Sequence, residues 1–425
     1  MLKHTPYILA LLCLMYFYAC VPAGEYTKQE NIASIYNPGS TSLHPEYKIY
    51  HINDTSAKIY VKINPAELLY NRANPQNMLA SKVKIDYRVH AALNQREITD
   101  SSSTKFTISR KRSLHPIISF LTYNPKKQKK YVVIVTTSDM LRKEKNTSYL
   151  FVDLAEDKGR ENYFVSTTKD KTPIFTSYIS PFDTVKIEHN SKEVKQWYVR
   201  YYKNKLKPAL PPFAKKQLDS VFLPYDSLWE ISGRNPLLFS QKQVGIYHYT
   251  SDTSAVGGVV LSTFDDFFPD VKRPRQLIPP LQYITTSKEF RDLKQNENPK
   301  LAVDDFWLGI AGTVENAKEL IKIYYNRIYF TNKYFSGITE GWKTDRGLIY
   351  TIFGPPLTVY KTNEYEKWIY GDNRSQSLLY FTFNKMKNPF SNEYFVLKRD
   401  LRYKNIWYRA VDTWRKGKAF STNNL

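Results

Sequence analysis

The chain has 425 residues, of which 42% are hydrophobic and 15% aromatic; that apolar supply excludes a globally disordered chain and, at ~100 to 200 residues per domain, predicts two or three domains. A formal charge of +22 invites a nucleic-acid partner through the clusters Arg110-Lys111-Arg112, Lys126-Lys127 with Lys129-Lys130, and Arg142-Lys143 with Lys145. No zinc spacing, aromatic interleaving or recognition-helix pattern accompanies them, so no nucleic acid is expected, and each reads as solvated surface equally suited to anionic lipid or acidic partners.

At the N-terminus, Lys3 and His4 precede the apolar run Tyr7 to Ala19, which ends at Cys20. This arrangement resembles a bacterial lipoprotein signal peptide over residues 1–20, in which a small residue precedes the cysteine that becomes lipidated. Phe17 and Tyr18 depart from the strict lipobox. The run is shorter than the ~18 to 20 residues of a spanning helix, which argues against the alternative of an uncleaved anchor. The resemblance implies a lipid-anchored protein of the outer membrane. The first acid, Glu25, stands behind Val21-Pro22-Ala23-Gly24, which favours the periplasmic face over the cell surface. Cys13 lies inside the signal, so a mature chain could form no internal disulfide.

Residues 21–46 lack periodicity and predict a flexible tether. From Tyr47 short β-branched and aromatic runs follow: Lys48 to Tyr50, Ala57 to Ile63, Lys82 to Val89, Phe106 to Ile108, Tyr131 to Val135 and Tyr149 to Leu154. Separated by turn residues, they predict an immunoglobulin-like β-sandwich over 47–156. A second β-rich domain is expected over 157–270, with strands at Asp183 to Glu188, Gln196 to Tyr202, Ser220 to Leu223, Leu237 to Ser240, Val244 to Tyr249 and Gly257 to Thr263. Pro208, Pro211 and Pro212 make Lys207 to Phe213 a loop within it. The Pro-rich start of 271–299 predicts a linker. Beyond it, Thr313 caps a predicted helix with Val314, Ala317, Ile321, Tyr324 and Ile328 on one stripe, and Phe306 and Trp307 belong to a shorter helix before it.

The C-terminal part, 300–425, carries Gly341-Trp342-Lys343-Thr344-Asp345-Arg346-Gly347, then Leu348 to Phe353, Gly354-Pro355-Pro356 and Glu366-Lys367-Trp368-Ile369-Tyr370. The order of these elements resembles the GWxTD domain of exported Bacteroidota-type proteins, over about Asp304 to Arg415. The resemblance implies a C-terminal α+β module with helices on an antiparallel meander, and it supplies no catalytic residues. Physically, Gly341 and Gly347 are expected to take positive φ, Thr344 and Asp345 to accept from backbone donors in the turn, and Arg346 to pair with Asp345 or another acid. Trp342 is expected to cover the core. Leu348 to Phe353 reads as a strand ended by Pro355 and Pro356, and Leu378 to Phe383 and Tyr394 to Lys398 as further strands. A structural role for the motif is the simplest account. Gly354, Pro355 or Pro356, Trp368 and Tyr370 also resemble positions in the small lipoproteins of the outer-membrane barrel-assembly machine.

Catalytic constellations are sparse. The seven histidines lie at 4, 44, 51, 90, 115, 189 and 248 without zinc-ligand spacing, and no nucleophile elbow or phosphate loop is present. Ser102 to Lys105 holds Ser-x-x-Lys spacing in what reads as a polar loop, and Asp265-Asp266 and Asp304-Asp305 read as a solvated turn and a helix start. No catalytic, metal or cofactor site is therefore expected. Thr184, Ser220 and Ser227, each after an Asp, resemble acceptors for O-glycosylation of exported Bacteroidota proteins. The resulting expectation is a non-enzymatic envelope lipoprotein anchored at Cys20, binding unidentified envelope proteins within an assembly, secretion or motility complex. The alternative is an envelope glycan-binding or glycan-processing protein using Trp and Tyr as stacking platforms.

Overall fold

The computed structural model describes residues 31–421 apart from 73–78, 92–96, 111–114, 127–129, 155–158, 169–171, 204–205, 216–222, 234, 254–256 and 372–377. Cys20 and Ser220, most of the basic clusters at 110–112 and 126–130, and most of the strand expected from Ser220 to Leu223 lie outside those residues. The fold is mainly β, with 38% strand and 25% helix.

The first β domain is a sandwich of two antiparallel sheets. One joins Glu46–Asn53, Ser56–Ile63 and Ile117–Tyr123; the other joins Asn71–Arg72, Leu79–Ala91, Ile98–Ser109, Lys130–Asp139 and Glu144–Asp153. Alternation puts Ile59, Val61, Val83, Ile85 and Val89 into the space between the sheets. The run Tyr131 to Val135 is buried at every position, because Val133 and Val135 face that core while Val132 and Ile134 face the C-terminal core. Burial on both faces explains an unbroken apolar run where a half-exposed strand would alternate.

The second β domain also has two sheets. The three-stranded one joins Leu237–Ser240, Thr184–His189 and Tyr163–Thr167; the five-stranded one joins Tyr178–Ile179, Val259–Thr263, Gly245–Thr250, Gln196–Tyr202 and Ser227–Ser232. Trp197, Val199, Tyr247 and Tyr249 fill the interior. On the opposite face Tyr202, Ile246 and Val260 pack with Ile338 and Phe390 of the C-terminal part.

Among the described residues six helices follow: α1 (Pro274–Leu277), α2 (Ser287–Gln295), α3 (Pro299–Ala311), α4 (Val314–Phe335), α5 (Asp345–Phe353) and α6 (Tyr403–Arg415). They surround an antiparallel meander of Thr358–Lys361, Tyr365–Tyr370, Leu379–Lys385 and Phe395–Leu397, paired in chain order. Thr313 caps α4 by accepting from the Asn316 amide. Ala317, Leu320, Tyr324 and Ile328 form its buried stripe, while Val314 at the first turn is exposed.

Three sequence expectations change. Leu348 to Phe353 is helix, not strand: all nine residues of α5 are buried, and a helix buried all round shows no 3.6-residue period by which to know it. The segment expected as a linker folds into α1, a 3-10 turn and α2, and it places Leu281, Tyr283, Ile284 and Leu293 in the C-terminal core. The later part of the segment expected as a tether, from Asn31, is packed on the fold. From Asn31 onward the chain lies along the edge strand Thr358–Lys361, where the Ile32 amide donates to Val359 O at 3.0 Å and Asn31 Oδ1 accepts from the Val359 amide at 2.9 Å. Covering that edge removes the unpaired strand face that would otherwise invite association.

Candidate functional site

The run Gly341 to Gly347 sits where α4 ends and α5 begins. Neither glycine has positive φ, so the expected reason for them is corrected. A Cβ on Gly341 would lie 1.8 Å from Thr331 O, and one on Gly347 would lie 1.9 Å from Gly341 O. Both glycines let backbone meet backbone as the chain folds from α4 through the short Gly341–Lys343 turn into α5. Thr344 holds that junction: its Oγ1 donates to Gly341 O at 2.7 Å and accepts from the Gly347 amide at 3.0 Å, an N-cap on α5. Trp342 is 5% exposed and lies beside Tyr283, whose hydroxyl donates to Trp342 O at 3.1 Å.

The next two side chains leave α5 toward different partners. Asp345 does not accept within its own turn. Its carboxylate receives the Leu397 amide at 2.9 Å and the Arg399 guanidinium. Burial raises the Asp345 pKa above the usual carboxylate value, and Arg399 opposes that shift. Arg346 Nη1 donates to Glu366 Oε1 at 2.9 Å, and its guanidinium lies between the Phe335 and Phe395 rings. Burial works against this charge, yet Glu366, Tyr36 and Glu393 outweigh it and hold the Arg346 pKa above its ordinary value.

Glu366 is 0% exposed and is the centre of the network. It also receives the Tyr36 hydroxyl at 3.0 Å and Trp368 Nε1 at 3.1 Å, with Lys361 Nζ at 3.4 Å. Lys361 reaches Glu393 Oε2 at 2.6 Å. A buried carboxylate is tolerable only when its lone pairs are filled in this way. Of these members, the sequence reading had singled out only Arg346 and Trp368. The signal for Glu366 was its place two residues before Trp368, on the same strand face.

The rest of the motif closes the core. Gly354 takes φ +84 after α5, Tyr370 donates to Gly354 O at 2.9 Å, and Pro356 is buried beside half-buried Pro355. The loop Lys207 to Phe213 crosses over the motif: the Ala209 amide donates to Lys343 O at 2.8 Å, the Asp400 amide donates to Pro212 O at 3.1 Å, and Arg399 reaches Leu210 O at 3.1 Å. Ser177 and Ser262 donate to Ser336 O and Gly337 O at 2.8 and 2.5 Å. The proline loop thus bonds the motif at Lys343, while the second β domain bonds the chain just before it, at Ser336 and Gly337.

Other candidates are scattered. Ser102 to Lys105 lies exposed in the strand Ile98–Ser109, not in a loop. Asp266 pairs with Arg273 and Asp304 with Lys300 at 2.5 Å, all on the surface. Thr184 and Ser227 are exposed at strand starts. Among the described residues, no three His, Cys, Asp or Glu side chains group as metal ligands, and no helix is long and apolar enough to cross a membrane.

Comparison with protein families matches residues 245–416 to the GWxTD domain. The match begins at the strand Gly245–Thr250 of the second β domain, upstream of the Asp304 to Arg415 stretch expected from the motif alone. No curated protein matches the chain.

Proposed function

Because this chain is a GWxTD-domain-containing protein, we propose that it works as a lipid-anchored, non-enzymatic scaffold of the bacterial cell envelope. It is held at the periplasmic face of the outer membrane through Cys20, and it presents its two β-sandwiches to partners in an assembly, secretion or motility complex. The observation that carries this reading is the use made of the motif. Thr344, Asp345, Arg346, Trp368 and Tyr370 all direct their polar atoms inward, to partners within the C-terminal domain. Trp342 and Trp368 are 5% and 0% exposed and offer no stacking face to a sugar, which disfavours a glycan-binding role centred on the motif. Anchor and scaffold are tested together by affinity purification of the tagged chain from its own envelope, beside a Cys20→Ser version. The reading expects co-purifying envelope proteins with the parent and release of the variant from the membrane fraction. Recovery of the chain alone, or unchanged fractionation of the variant, overturns it.

A further inference from the structure

A hollow lies where the two β domains and the C-terminal domain meet. It has a volume of about 710 Å³, within the ~300 to 1,000 Å³ range of small-molecule sites. Its walls are apolar and aromatic, with Tyr149, Phe151, Ile174, Phe175, Tyr178 and Tyr334 from all three domains. Glu46 with Lys62, at 3.2 Å, Lys333 and Glu393 are also among its lining groups; Lys333 and Glu393 are exposed.

Three further lining groups, Lys48, Arg160 and Glu161, are only partly exposed. They amount to two cations against one acid; Glu393 also acts on Arg160, but it is itself paired with Lys361 at 2.6 Å. Arg160 gives one Nη2 bond to Phe390 O, yet its Nε and Glu161 Oε2 have no hydrogen-bond partner. A surplus charge on partly buried groups is costly unless something neutralises it. Burial first, then Arg160, lower the Lys48 pKa to about 8, with Glu161 acting in the opposite sense. The ammonium is thus under-compensated as the protein stands.

We propose that this cavity binds a small monoanionic amphiphile, its carboxylate or phosphate head between Lys48 and Arg160 and its hydrocarbon part against the aromatic walls. One added negative charge makes the Lys48, Arg160 and Glu161 group neutral, and the chain covers apolar surface that now faces the hollow. Because the site is assembled from three domains, its occupant would also bridge them. The inference is independent of the scaffold reading and of the lipid on Cys20.

Calorimetric titration of the purified full-length chain with decanoate, the monoanionic diester decyl methyl phosphate and neutral decanol tests it. Saturable binding of either anion, roughly tenfold or more tighter than decanol, is expected for one charge-assisted contact. Preference between the two anions identifies the head group. Lys48→Met should bring the anions down to the decanol level. Ser148→Trp, which fills the cavity from the strand Glu144–Asp153, should abolish binding of all three, each variant being checked for parent-like melting. No saturable binding by the parent, equal affinity for anions and decanol, or full anion binding by a normally folded Lys48→Met or Ser148→Trp chain overturns the proposal.

Discussion

The Tyr36 hydroxyl donates to Glu366 Oε1 at 3.0 Å, across 330 positions of sequence. Through this bond the N-terminal segment around Tyr36 is joined to the ionic centre of the C-terminal domain, and Tyr350 returns the contact by donating to Tyr36 O at 2.8 Å. Burial and the Glu366 charge both raise the Tyr36 pKa, so the phenol stays a donor at all physiological pH. Tyr36→Phe should therefore cost about 1 to 2 kcal/mol of unfolding free energy, read from denaturant melts. A loss below the error of the melt would mean that Glu366 is satisfied without Tyr36.

Removing the acid itself is more serious. Glu366→Gln leaves Arg346 and Lys361 buried beside a neutral group, and breaking a buried pair from one side costs about 3 to 5 kcal/mol. The thermal midpoint of this variant should fall well below that of Glu364→Gln, an exposed acid two residues away that accepts from Asn363. Equal midpoints would show that the network contributes nothing.

Two glycine substitutions should act in opposite directions. Gly341→Ala drives a methyl group to 1.8 Å from Thr331 O, and helix α4 would have to move away from the Gly341–Lys343 turn, at a cost of about 1 to 3 kcal/mol or more. Gly309→Ala, inside α3 with nothing within 4 Å, should stabilise by about 0.5 to 1 kcal/mol. Circular-dichroism melts of the two variants check both signs.

Acid should destabilise the β domains through their histidines. Burial first lowers the pKa of His51 and of His248 to about 4, against an unfolded value near 6.5. The unfolded chain then binds more protons between these values, so stability is complete above pH 6.5 and declines as pH falls toward 4, by up to about 3 kcal/mol per histidine. His248→Gln should flatten the slope of stability against pH in that window. A parent whose stability is level from pH 7 to pH 4 contradicts the assignment.

The proline loop gives a local prediction. Arg399 holds it through Leu210 O and pairs with Asp345, so Arg399→Met should speed hydrogen exchange at the Ala209 amide, which donates to Lys343 O. Exchange at Ile187, in the interior of the second β domain, should not change.

What the sequence determined by itself was local. Strands with alternating burial such as Ser56–Ile63, the Thr313 cap and the buried stripe of α4, and the four ordered motif elements of the C-terminal domain were legible because each depends on neighbours within a few residues. The tertiary structure decided what depends on surroundings. The run Leu348 to Phe353 became helix because burial on all sides left no periodicity to read, and Gly341 and Gly347 are needed for close backbone approach and not for a turn angle. Glu366, Lys361, Glu393 and Tyr36 form one ionic centre only once the meander, the N-terminal segment and α5 come together. Charges separated by tens or hundreds of residues carry no mark of their pairing, since Coulomb and hydrogen-bond energies follow distance in space and the dielectric around them, not position along the chain.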